Sequence, residues 1–175
     1  MNFATLLTTS RLVLIAPVAA LALRGTNNNW ALILFCVAAT TDYFDGLVAR
    51  KFDQITVSGA RLDASVDKLF IYVLVAVLYM RGVYVLPVVL IALSRDFIVE
   101  ILRHKSAAAH SVIPANRWGK MKFIIQCASI AAALAGGNAL SFSYVVANCL
   151  LVLATIASLP GFLLVWKAAQ SPPAA

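Results

Sequence analysis

Carboxylates are scarce in this chain. Asp and Glu number 7 in 175 residues against 14 Lys and Arg, which leaves a formal net charge of +7. Charged residues of both signs make up only 12%, apolar residues reach 62%, and the mean hydropathy is +0.91. So little charge excludes an ordinary soluble domain. Cysteine is also sparse: Cys36, Cys127 and Cys149 stand alone in apolar sequence without metal-ligand spacing and read as small packed residues. His104 and His110 lie in or beside a basic stretch and read as solvated. Internal repeats, low-complexity tracts and polar linkers are lacking, so no soluble module is left over to hold nucleic acid.

What remains is apolar sequence cut into spans. A helix needs about 20 largely apolar residues to cross the hydrocarbon core. The chain accommodates six such spans, centred near Val13, Phe35, Val73, Leu90, Ser129 and Leu153. The expected fold class is therefore all-α: a polytopic membrane protein with six transmembrane helices, forming a single domain over residues 1–169 with a short tail at 170–175. The first span has Arg11 near its start and no small-residue cleavage site after it, unlike a removed signal peptide.

The cations set the orientation. Arg50, Lys51 and Arg61 fall between the second and third spans; Arg103, Lys105, Arg117, Lys120 and Lys122 fall between the fourth and fifth; Lys167 follows the sixth. The opposite side holds Arg24 and Arg81. By the positive-inside tendency, both termini and both basic loops face the cytoplasm. The membrane expected is a bacterial-type inner membrane, with anionic lipid head groups drawn to the basic face.

Four of the rare carboxylates fall in one phrase, D-x-x-D-G-x-x-A-R, eight residues, G-x-x-x-D-x-x-x-D, which supplies Asp42, Asp45, Asp63 and Asp67. An ionised carboxylate at mid-bilayer costs roughly 2.5–3.5 kcal/mol on insertion scales, so something must compensate. Residues three or four apart share a helix face, which pairs Asp42 with Asp45 and Asp63 with Asp67; a turn around residues 51–58 brings the pairs together. Carboxylates converging in this way repel one another unless protonated or neutralised, and hard oxygen donors suit magnesium, manganese or calcium.

Gly46 and Gly59 leave room for a close approach, and Arg50 offers a forked cation to a phosphate oxygen. The set fits metal-assisted phosphoryl transfer. Two other readings use the same acids: a structural knot of ion pairs with Arg50, Arg61 and Lys68, and an ion-conducting path. The knot does not explain the glycines.

With these residues in place, the sequence resembles the CDP-alcohol phosphotransferase family, whose signature is this phrase. Every signature position is filled, by Asp42, Asp45, Gly46, Ala49, Arg50, Gly59, Asp63 and Asp67. The resemblance implies a metal-dependent enzyme in which an alcohol hydroxyl attacks a CDP-linked donor and releases CMP, in a protein that commonly forms homodimers. It assigns Asp42, Asp45, Asp63 and Asp67 to two divalent ions, Mg2+ or Mn2+, with Asp67 also the candidate general base. Gly46, Ala49, Arg50, Thr56, Gly59 and Thr8 would meet the CDP donor.

Other segments bear on the acceptor. The opening M-N-F-A-T-L-L-T-T-S-R, the stretch S-R-D-F-I-V-E-I-L-R and the stretch R-W-G-K-M-K are similar to the phosphatidylglycerophosphate synthase branch of that family. This likeness implies CDP-diacylglycerol as donor and sn-glycerol 3-phosphate as acceptor, in phospholipid biosynthesis. The acceptor phosphate would meet Arg103 and Lys120 first, with Arg95 and Lys122. The alternative within the family is the cardiolipin synthase branch or another acceptor. For Arg95 a simpler fate also exists, since Asp96 and Glu100 are near enough in sequence to satisfy it; Trp118 reads as an interface anchor of the fifth span.

Overall fold

A computed structural model describes the backbone of residues 3–25, 29–51, 57–108, 117–136 and 142–170, and the side chains of 13–25, 29–41, 66–102, 117–136 and 142–166. Among the described residues there are seven α-helices and no strand: α1 (Phe3–Arg24), α2 (Asn29–Lys51), α3 (Val57–Met80), α4 (Leu86–Ala108), α5 (Arg117–Ala135), α6 (Phe142–Ala157) and α7 (Leu159–Gln170). The all-α class is what the apolar composition led us to expect.

The connections explain where the helices stop. Gly25, at φ 73°, follows α1, and Gly82, at φ 71°, follows α3, both in the left-handed region that a Cβ disfavours. After α3 the chain closes a C-terminal cap: Gly82 N–H donates to the Tyr79 carbonyl at 2.8 Å and Val83 N–H to the Leu78 carbonyl at 2.9 Å. Arg81 Nη2 donates to the Gly25 carbonyl at 3.3 Å, tying this turn to the end of α1. Asn148 of α6 reaches the same turn, donating to the Val83 carbonyl at 2.8 Å and accepting from Val85 N–H at 3.1 Å. Tyr144 Oη donates to the Gly136 carbonyl at 3.3 Å and closes the approach of α5 to α6. One end of the bundle thus gathers the end of α1, the α3–α4 turn, the end of α5 and the start of α6. Arg24 and Arg81, expected on one side by charge, are at that end.

α3 is the central element. It packs against α1, α4 and α5, and its Leu74 and Leu78 are wholly inaccessible. Phe35 of α2 meets Phe70 of α3 with ring centroids 5.8 Å apart, a contact worth about 0.5–1.5 kcal/mol beyond its buried area. α5 lies along α6, where Ser129, Ala133, Ala147 and Ala154 are fully buried. Small side chains there let two backbones approach, which replaces the hydrophobic drive that lipid does not supply. Inside this interface the Tyr84 and Ser129 hydroxyls are 2.8 Å apart, and Ser129 Oγ donates to the Ala147 carbonyl at 2.7 Å. Both hydroxyls are therefore satisfied without water.

Large apolar side chains also face outward, among them Ile33, Val37, Leu90, Ile91, Val152 and Leu163. Among the described residues, Phe142–Trp166 is long and apolar enough to cross a membrane, and Val13–Arg24 and Asn29–Thr41 are shorter apolar helices. In α4 and α5 the apolar stretch is shortened by Arg95, Asp96 and Glu100 and by Lys120 and Lys122.

The expected sixth span, centred near Leu153, is helical but not continuous: it divides into α6 and α7 at Ser158. The cause is Pro160, which lacks the N–H that would bond back to the Ile156 carbonyl. Ser158 Oγ donates to the Thr155 carbonyl at 2.7 Å, and the Ser158 carbonyl accepts from Phe162 N–H at 3.0 Å, starting α7.

Candidate functional site

The acidic phrase spans two helices. Asp42, Asp45, Gly46, Ala49 and Arg50 occupy the last turns of α2, and Gly59, Asp63 and Asp67 follow one another down α3. Of these side chains only Asp67 is among those described; Thr8, on α1, also has its side chain outside them, and Thr56 lies wholly outside the described residues. Just before the phrase, Thr40 and Thr41 bond back to the carbonyls of Cys36 and Val37, both at 2.7 Å, so α2 remains self-satisfied up to the first aspartate.

Asp67 is half-buried and lines a small cavity where α2, α3 and α5 meet, together with Ala38 and Ala39 of α2, Phe70 and Ile71 of α3 and Phe123 and Cys127 of α5. Of the three cysteines, Cys127 alone contributes to this wall, while Cys36 and Cys149 are exposed; all three are free thiols. Positions 35, 38 and 42 fall on one face of α2, and positions 63, 67, 70 and 71 on one face of α3. Asp42 and Asp63 each lie one helical turn from a residue that lines the cavity, Ala38 and Asp67.

Carboxylate oxygens are hard donors of the kind that suit divalent cations, and one of the four, on Asp67, borders the cavity. Among the described side chains no three of His, Cys, Asp and Glu come together, and Asp42, Asp45 and Asp63 are not among those described.

A second charged cluster lies across α3, α4 and α5. Asp96 of α4 accepts from Arg95 Nη1 at 3.0 Å through Oδ1 and meets Lys122 Nζ of α5 at 2.5 Å through Oδ2, its side chain being 3% exposed. Arg95 Nη2 donates to the Ser158 carbonyl at 2.7 Å, so the guanidinium also braces the α6–α7 break. One turn further along α4, Glu100 is ion-paired with Lys68, the residue that follows Asp67. Arg95 is thus paired with Asp96, as its sequence position allowed, whereas Glu100 is paired with Lys68. Lys68, one of the three cations that a structural knot of aspartates would need, is turned toward α4.

The four acceptor candidates divide accordingly. Arg95 and Lys122 are held together by Asp96, Lys120 is exposed at the start of α5, and the side chain of Arg103 lies outside the described residues. Trp118, expected at the interface, is exposed beside Lys120. Lys122 and Asp96 Oδ2 form an ion pair, while Asp96 Oδ2 and the buried Arg95 Nε have no hydrogen-bond partner among the described residues. Sequence reasoning missed Asp96 as the hub and the Ser158 carbonyl as an anchor. The motif S-L-P-G at 158–161 was the available signal for the break.

An all-α bundle with large apolar side chains on its outer faces is the architecture of an integral membrane protein. This chain belongs to the CDP-alcohol phosphatidyltransferase family, whose model matches residues 1–166; members are membrane enzymes that generally use divalent metal ions. It is 33% identical over 147 residues to a CDP-diacylglycerol–glycerol-3-phosphate 3-phosphatidyltransferase of Rickettsia felis, covering 82% of this chain and 80% of that protein. A protein of the same name from Rickettsia typhi is 32% identical over 148 residues, 82% of each chain. Another from Bacillus subtilis is 36% identical over 102 residues, covering 58% of this chain and 53% of the relative.

Proposed function

We propose that this protein transfers the phosphatidyl group of CDP-diacylglycerol to sn-glycerol 3-phosphate, yielding phosphatidylglycerophosphate and CMP. The names of its relatives support the substrates. The observation that carries the site is the half-buried Asp67 in a cavity, with Asp63 and Asp42 each one helical turn from a residue that lines it.

A free hydroxyl of glycerol 3-phosphate attacks the phosphorus that carries the diacylglycerol oxygen, and the bond from that phosphorus to CMP breaks. Asp67 accepts the hydroxyl proton. Its carboxylate is poorly matched to an alcohol in ordinary water, so exclusion of solvent by Phe70, Ile71 and Phe123 is part of its function. Asp42, Asp45, Asp63 and Asp67 hold two divalent ions, Mg2+ or Mn2+, which when bound supply positive charge to the phosphoryl oxygens. Gly46, Ala49, Arg50, Thr56, Gly59 and Thr8 receive the CDP moiety. Arg103, Lys120, Arg95 and Lys122 form the cationic end that takes the acceptor phosphate.

The site sits near the cytoplasmic ends of the second and third of six spans, with both termini cytoplasmic. The acyl chains remain in the bilayer beside the apolar outer faces, and the protein works as a homodimer in a bacterial-type inner membrane. The testing experiment is CMP release by the purified protein with CDP-diacylglycerol and magnesium or manganese. Release with glycerol 3-phosphate alone supports the reading, and release only with phosphatidylglycerol reassigns the chain to cardiolipin synthesis. Silence with every acceptor overturns the substrate assignment.

A further inference from the structure

Resting on the assignment of Lys122 to the acceptor end of the site, we infer that Asp96 is a positioning residue for the phosphate-bearing acceptor: it fixes the Lys122 ammonium between α4 and α5 without itself meeting substrate. A lysine near the start of a helix ordinarily extends its flexible stem toward the aqueous end. Lys120, two residues earlier, is exposed, whereas the Lys122 side chain is 16% exposed and is turned toward α4, where the Asp96 carboxylate receives it at 2.5 Å. Lys122 is therefore fixed on the α4-facing side of α5, while the next residue, Phe123, borders the cavity that holds Asp67.

The carboxylate is itself immobilised. Its other oxygen accepts from Arg95 Nη1 at 3.0 Å, and Arg95 Nη2 is held by the Ser158 carbonyl at 2.7 Å. Three elements thus fix one charge: α4 supplies Asp96 and Arg95, α5 supplies Lys122, and the break between α6 and α7 supplies the anchoring carbonyl. Two cations share one anion, so the group keeps a net positive charge with which to attract a phosphate dianion. The rotamer freedom of Lys122 is surrendered when the protein folds rather than when the acceptor binds, which is how pre-organisation raises affinity.

The test uses the full-length protein in mixed micelles, following CMP release while each substrate is varied at saturating concentration of the other. Asp96→Asn is expected to raise the KM for glycerol 3-phosphate on the order of 10-fold, the usual effect of losing one charge-assisted hydrogen bond, with smaller changes in kcat and in the KM for CDP-diacylglycerol. Asp96→Glu keeps the charge and displaces it slightly, so its shift is intermediate. In the Lys122→Gln background both substitutions lose their effect, because the residue through which Asp96 acts is gone.

Effects of Asp96→Asn that add fully to those of Lys122→Gln, or equal losses for both substrates accompanied by a fall in thermal midpoint, overturn the inference and make Asp96 a strut. If Lys122→Gln leaves the KM for glycerol 3-phosphate unchanged, the assignment of Lys122 fails and the inference falls with it. If Asp96→Asn does not accumulate as folded protein, Asp96→Glu decides: a shift that persists without Lys122 overturns the inference.

Discussion

Lys68 of α3, the cation adjacent in sequence to Asp67, is ion-paired with Glu100 of α4. Both side chains are more than a third exposed, at 37% and 35%. A pair so open to solvent is worth less than about 1 kcal/mol. Lys68→Gln is therefore expected to leave the divalent-ion concentration for half-maximal turnover unchanged and to lower stability only slightly. A titration of activity against magnesium checks this; a clear fall in the ion requirement would show that Lys68 neutralises the aspartates after all.

Asp67→Asn should abolish CMP release while the protein still inserts and elutes as a folded species. Removal of a general base costs about 10²–10⁴-fold in rate, and loss of a metal ligand adds to that. Turnover close to that of the unaltered protein would remove Asp67 from both roles.

Chelation of divalent ions should stop turnover, and magnesium or manganese should restore it. The repulsion among Asp42, Asp45, Asp63 and Asp67 is then no longer offset, so the thermal midpoint should fall on chelation in the unaltered protein. In an Asp42→Asn/Asp63→Asn variant the midpoint should no longer respond. Thermal unfolding with and without chelator reads this independently of activity.

Arg95 holds both Asp96 and the Ser158 carbonyl. Arg95→Gln leaves a buried carboxylate with one cation and frees the α6–α7 break, a loss of about 3–5 kcal/mol by analogy with other broken buried pairs. The expected result is a large drop in thermal midpoint in detergent. Arg95→Lys, which retains the charge but not the fork, should recover only part of it.

Gly136 tests the close approach of α5 to α6. A Cβ there would lie 2.6 Å from Tyr144 Cε1 and against Ser143 Oγ. Gly136→Ala must displace an aromatic ring packed at the bundle end and is expected to destabilise by about 1–3 kcal/mol. Gly82→Ala is strained for another reason: no atom lies near its added Cβ, but its φ of 71° disfavours any side chain. Comparing the two thermal midpoints separates crowding from backbone strain.

Much of this protein was legible in its sequence because the governing constraints are local or compositional. Apolar length and the scarcity of charge dictated helices, since a backbone in lipid must satisfy its own hydrogen bonds. The fixed spacing of Asp42, Asp45, Asp63 and Asp67 put each pair on one helix face, because helix periodicity makes spacing equivalent to a shared face. What spacing along one helix does not specify is which face of another helix it meets. Only the packing of α2, α3 and α5 put Asp67 on a cavity wall, and only the packing of α3, α4 and α5 gave Lys68 to Glu100 and Lys122 to Asp96. The partners of a buried charge depend on the rotation and depth of neighbouring helices. Those are properties of the assembled bundle, whereas the need for a partner is already fixed by the cost of burying the charge.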